Sequence, residues 1–71
     1  MSGKYSGLPK VDMSGMKPTE IYKGIKIYLV AGGQHETISA GYAVVGRNHL
    51  IDEQLDSLFG ARNSVEQFLI N

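Results

Sequence analysis

The chain has no cysteine among its 71 residues, so neither a disulfide nor a thiolate zinc site can staple the fold. A reducing, cytoplasmic setting suits such a chain, and self-association or partner binding is the expected supplement to a small core. Long apolar runs are also missing: nothing approaches the ~20 residues of a membrane helix. The opening "MSGKYSGLPKVD" lacks the apolar middle of a signal peptide, so the mature chain is expected to be the whole chain. Both prolines, Pro9 and Pro18, fall within the first 19 residues. Neither sign of charge dominates, since the formal net charge is zero.

What remains is the ordinary balance of a folded protein, with 42% hydrophobic and 20% charged residues, and its length allows one domain with a small core. The charges are unevenly spread. Lys4, Lys10, Lys17, Lys23 and Lys26 face only Asp12 and Glu20 in the first 26 residues, and the remainder is net acidic. That pattern reads either as a solvated tail beside an acidic surface or as a basic arm that touches an acidic partner.

Residues 1–19 mix glycine, proline, serine and lysine without a sustained period, which predicts a flexible basic arm ahead of a single domain over 20–71. From Glu20 the pattern changes. Ile21, Ile25, Ile27 and Leu29 alternate with Tyr22, Lys26, Tyr28 and Val30, as in a strand of about ten residues with one buried face. Thr37 to Val45 repeats the signal, with Ile38, Ala40, Tyr42 and Val44 on one side. Gly32, Gly33, Gln34, His35 and Glu36 between the two suit a hairpin loop.

After "GRN" at 46–48, a short third strand over His49 to Ile51 is expected. In "IDEQLDSLFG" the preferred reading is a short helix capped by Asp52 and ended by Gly60; the competing one is a long third strand with Ile51, Leu55 and Phe59 inward. Ser64 and Gln67 have the spacing of a capping box, which predicts a short final helix with Val65, Phe68 and Leu69 on one face. The fold class that follows is α+β: a small antiparallel hairpin or three-stranded meander with short C-terminal helices packed on one face.

Candidate chemistry is sparse. "AGGQHE" lacks the helix-opening glycine or the Lys-Ser/Thr of a phosphate loop, and a β pattern follows it. His35, Glu36, His49 and Asp52 are proper metal ligands, but successive turns of a meander lie at opposite strand ends, so both histidines read as exposed turn residues. No Gly-x-Ser-x-Gly elbow or paired carboxylates suggest catalysis. The expectation is therefore no catalytic residue, no metal and no cofactor. The apolar composition of "VEQFLIN" argues against a second helix reading DNA.

The face opposite the isoleucines is richer. Tyr22, Lys26 and Tyr28 fall on alternate positions and could form a platform for a protein partner or a second copy, unless a helix covers them. The same three residues with the arm's Lys4, Lys10 and Lys17 could instead hold single-stranded nucleic acid.

At "YKGIKIYLV", "AGYAVV" and "LFGARNSVEQFLI", over residues 21–70, the chain resembles a loose set of short bacterial and phage hypothetical proteins that share a Tyr-x-Gly-x-x-Ile strand, a second strand, and a turn leading into a helix. That resemblance implies a β-meander with a helix and carries no functional residue. In size and economy the chain is also similar to small phage inhibitors of host machines, anti-CRISPR proteins among them. The expected function is a small non-enzymatic protein-binding module, an inhibitor or accessory protein of phage or mobile-element type acting by surface contact; the alternative is nucleic-acid binding.

Overall fold

A computed structural model describes residues 3–71 as one four-stranded antiparallel sheet, in the order β1-β2-β3-β4, followed by one helix. The α+β class expected from the sequence is thus observed, with one strand more than the meander foreseen. The strands are β1 (Glu20–Tyr22), β2 (Ile25–Val30), β3 (Gly41–Gly46) and β4 (His49–Leu55), and the helix is α1 (Leu58–Ile70).

The single strand read over Glu20 to Val30 is in fact a hairpin. Tyr22 pairs with Ile25, and the chain reverses at Lys23 and Gly24, whose φ angles are 53° and 83°. Positive φ at both central residues marks the tight turn whose twist matches the flanking strands. Such a turn also changes which face a residue occupies. Tyr22, opposite Ile25, joins the isoleucine face, and Ile21, opposite Lys26, joins the other, where it is 61% exposed. A second reversal of the same kind, at Arg47 (φ 50°) and Asn48 (φ 61°), joins β3 to β4.

Between β2 and β3 the link over 31–40 begins with the turn expected at the glycine pair: the Gln34 N–H donates to the Ala31 carbonyl, and Gly33 has φ 79°. It is longer than a simple hairpin loop because Ile38 folds back into the core, 3% exposed. The region expected to form a short helix over 52–59 is instead the second half of β4. Its register slips twice against β3, between Tyr42 and Val44 and between Val44 and Val45, and Gln54 has φ 61°. These bulges break the period-2 pattern and bring both Asp52 and Leu55 opposite helix-face residues of β3.

The helix begins earlier than the capping-box spacing indicates. Ser57 is the N-cap, its Oγ accepting from the Gly60 N–H at 3.1 Å, and the helix runs 13 residues. Gly60 lies inside it, and Ser64, read as a cap, sits in its middle and donates from Oγ to Asp52 Oδ2 at 2.8 Å. Leu58, Ala61, Val65 and Phe68 recur at helical spacing and pack on Ile25, Ile27 and Val44.

The sheet is covered on both sides. Opposite the helix, Tyr28, Val30, Ala43 and Val45 pack with Met13 of the N-terminal segment and Ile38 of the long link, with Val11, Met16 and Leu50 at the margin. Residues 3–19, read as a flexible arm, here form a strap across that face. At one side the Val11 N–H donates to the Asn48 carbonyl, the Leu50 N–H donates to the Pro9 carbonyl, and Lys10 bridges to His49. At the other side the Thr19 N–H donates to the Ile27 carbonyl. A domain boundary at residue 20 would therefore cut through the core, because Met13 is only 7% exposed.

Candidate functional site

Both tight turns, at Lys23–Gly24 and Arg47–Asn48, come to the same end of the sheet, since Lys26 pairs with Val45 near the start of β2 and the end of β3. The strap passes beside them. An open groove of about 650 Å³ results, whose walls include Lys10, Val11, Met16 and Pro18 of the strap and Lys26 and Tyr28 of β2. It runs into a smaller depression of about 250 Å³ that shares Lys26, Tyr28 and Asn48 and adds Arg47. Three cationic side chains, Lys10, Lys26 and Arg47, and one carboxylate, Asp12, thus border one amphipathic surface that is net basic. Alternation along β2 explains the pairing of charge and floor: Lys26 and Tyr28 point the same way, the lysine lies beyond the strap's cover and the tyrosine beneath it.

Tyr28 is 4% exposed, and burial pushes its phenol up from the ordinary value of 10.0. It is a floor residue with no ring face to offer. Tyr22, grouped with it by the sequence pattern, lies on the helix side, where its hydroxyl donates to Glu66 Oε2 at 2.6 Å. The shared Tyr22, Lys26 and Tyr28 platform is not formed; of the three, the groove contains Lys26 and Tyr28. Of the lysines expected to act from an arm, Lys10 reaches the groove and Lys17 is exposed on the strap. Lys4 is placed at the end of the helix, its ammonium donating to the carbonyls of Phe68, Leu69 and Asn71. A cation there also meets the negative end of the helix dipole.

His35 is more than a turn residue. Its Nδ1 accepts from the N–H groups of Thr37 and Ile38 at 3.1 and 3.3 Å, which assigns the ring proton to Nε2, 2.8 Å from the Asp12 carbonyl. The imidazole therefore ties the long link to the strap. Asp12 accepts from the Ser14 N–H at 2.9 Å, and that bond, with the Ser14 hydroxyl, holds its carboxyl below the ordinary 3.8. His49 is held by the Arg47 carbonyl and the Tyr5 ring. Among the described residues, no group of three or more His, Cys, Asp or Glu side chains converges as metal ligands do, and no helix is long and apolar enough to cross a membrane.

Arg47, Asn48, Met16 and Pro18 line the groove without any site signal in the sequence. "GRN" signals a turn, but nothing local says that the turn faces Lys26. Met16 and Pro18 lie in the segment whose composition suggested no fixed structure.

On the helix side two ion pairs tie β1 and the turn that follows it to α1. Arg62 forks onto Glu20, Nε to Oε2 at 2.9 Å and Nη2 to Oε1 at 2.6 Å, and this bond lowers the Glu20 carboxyl from its ordinary 4.5. The Tyr22 hydroxyl and, next, the Lys23 ammonium lower Glu66 likewise. Folded-state values below the unfolded ones mean that this stabilisation is present above pH 4.5 and is lost as pH falls through the lower folded values. The melting temperature is expected to fall on acidification below pH 4.5, and Glu20→Gln should flatten part of that fall; identical pH profiles for the variant and the parent would refute the assignment.

Compared with known proteins, the chain matches no family model, no curated protein and no solved structure, so its groove has to be read from its own chemistry.

Proposed function

We propose that the protein is a non-catalytic binding module that takes an acidic, apolar-bearing segment of a protein partner in the groove between strap and sheet. One observation carries this reading: Lys10 and Lys26 stand beside Val11, Met16 and Pro18 on a single open surface, with Arg47 next to it. Cations select the sign of the partner's charge and speed encounter, while the aliphatic wall supplies contact area. Methionine suits such a wall because its unbranched thioether repacks around different shapes. A small inhibitor or accessory protein of phage or mobile-element type would act in this way, by occupying a surface of its target.

Nucleic acid is the weaker reading. Sequence-tolerant binding of single strands depends on aromatic faces on which bases stack, and Tyr28 is buried while Tyr22 is engaged by Glu66 and Arg62 on the far side.

Fluorescence anisotropy with a labelled peptide of alternating glutamate and leucine, its lysine-for-glutamate counterpart, and single-stranded and duplex oligonucleotides tests the choice. The acidic peptide alone should bind, more weakly as salt rises. Lys10→Glu with Lys26→Glu should lower its affinity at least about tenfold, or ~1.4 kcal/mol. Equal binding of both peptides, or oligonucleotide binding that the double variant abolishes, would overturn the assignment.

A further inference from the structure

Among the described residues, the two most exposed large apolar ones are both on α1: Phe59 at 80% and Ile70 at 75%. They lie eleven positions apart in the sequence, about three turns at 3.6 residues per turn, and so share one stripe of the helix. Asn63 and Glu66, also exposed, fall between them on that stripe. The opposite stripe, Ala61 and Val65, is fully buried against the sheet. The outward stripe therefore reads apolar, amide, carboxylate, apolar from one end to the other.

That order is complementary to its own reverse. If a second copy lies antiparallel, with its Ile70 over Phe59, then its Glu66 comes opposite Asn63, its Asn63 opposite Glu66, and its Phe59 over Ile70. Each amide can donate to a carboxylate, and each exposed apolar side chain meets another. The Glu66 carboxylate already accepts from Tyr22 at Oε2 and pairs with Lys23 at 3.7 Å from Oε1, but two carboxylate oxygens offer about four acceptor sites and leave room for an amide. On the stripe itself, Phe59, Asn63 and Glu66 with Tyr22 and Arg62 enclose a shallow depression of about 330 Å³ into which a facing side chain can sink. Opposed helix directions also bring unlike dipole ends together.

We infer that the Phe59, Asn63, Glu66, Ile70 stripe is an isologous contact through which two copies of this chain pair, their α1 helices antiparallel about a twofold axis. The groove lies on the other side of the sheet, so the pair presents two grooves and the inference does not depend on what they bind. A second copy is the partner that the pattern itself specifies, because the two complementary halves of the stripe are the same residues.

The absence of native cysteine makes a direct test available. Phe59→Cys and Ile70→Cys chains, mixed and mildly oxidised, should give a mixed disulfide, since positions 59 and 70 face each other across the axis and one native Phe59–Ile70 contact survives in the mixed pair. Neither variant alone should crosslink, because like positions are ~16 Å apart along the helices. On the cysteine-free background, Asn63→Glu opposes like charges and should raise the dimer dissociation constant in sedimentation at least about tenfold, and Asn63→Lys should lower it. Circular dichroism should show the helix content unchanged in these surface variants. A monomer at every concentration, crosslinking of Phe59→Cys with itself, or no opposite response to the two Asn63 substitutions overturns the inference.

Discussion

A chain lacking the first 19 residues is expected to lose cooperative unfolding altogether. The strap supplies Met13 to the second core layer, with Val11 and Met16 at its margin, and without it only Ile38 and Leu50 remain to cover Tyr28, Val30, Ala43 and Val45 on that side of the sheet. Truncating one buried methionine to alanine costs ~2–5 kcal/mol, whereas a core of this size rarely supplies more than ~3–5 kcal/mol in total. The deletion removes more than Met13. It also takes the partner of His35, the pairing of Pro9 and Val11 with the β3–β4 end, and the Lys4 ammonium that satisfies helix carbonyls. Thermal denaturation followed by circular dichroism should show a broad, featureless change, and amide exchange should be fast throughout 20–71. A sharp transition within a few degrees of the full chain would show the strap to be dispensable. Met13→Ala alone should lower stability within the range given, and so separates the loss of packing from the loss of chain.

Composition could not reveal that role. Gly3, Gly7, Gly15, Pro9 and Pro18 break any helical or strand period in the strap, so its apolar residues register as scatter. Val11, Met13 and Met16 act as single insertions into a face that another element built, and a periodicity argument does not detect such residues. The same limit hid half of the groove. Lys26 and Tyr28 were legible because alternation along β2 survives folding, whereas Met16, Pro18 and Arg47 reach the groove only through the path of the strap and the second turn.

Where local chemistry and tertiary pairing agreed, the sequence was informative. Ile25 and Ile27 face the helix as their spacing indicates, and Val65 and Phe68 pack on them. Lys23 is the instructive failure. A lysine gives no local sign of positive φ, which costs an L-residue about 1–2 kcal/mol, yet the hairpin contacts on either side hold it there. One such residue moved Tyr22 to the opposite face and dissolved the three-residue platform. In "IDEQLDS" the run of polar residues disfavours a regular, central strand. β4 is an outer strand of the sheet and bulged, and polar side chains and a kinked ladder are the usual defences of such an edge.

The second large effect is expected at Gly41. It pairs with Val30 at the start of β3 and has φ 130°, a region that side-chain-bearing residues rarely enter. A Cβ there would lie 3.0 Å from Gln54 Cα and 3.2 Å from both the Gln54 carbonyl carbon and the Leu55 carbonyl oxygen. All three are backbone atoms of β4 and cannot rotate away. Gly41→Ala therefore combines a backbone conformation costing ~1–3 kcal/mol with an overlap costing a further ~1–3 kcal/mol. The bulge makes the site this tight, because the positive φ of Gln54 turns that part of β4 toward its neighbour. Gly24 is the control: its φ is 83°, but nothing lies within 4 Å of an added Cβ, so Gly24→Ala bears the conformational cost alone. Urea titration should place Gly41→Ala well below Gly24→Ala in stability, and equal losses would mean that β4 yields and that the double bulge is soft.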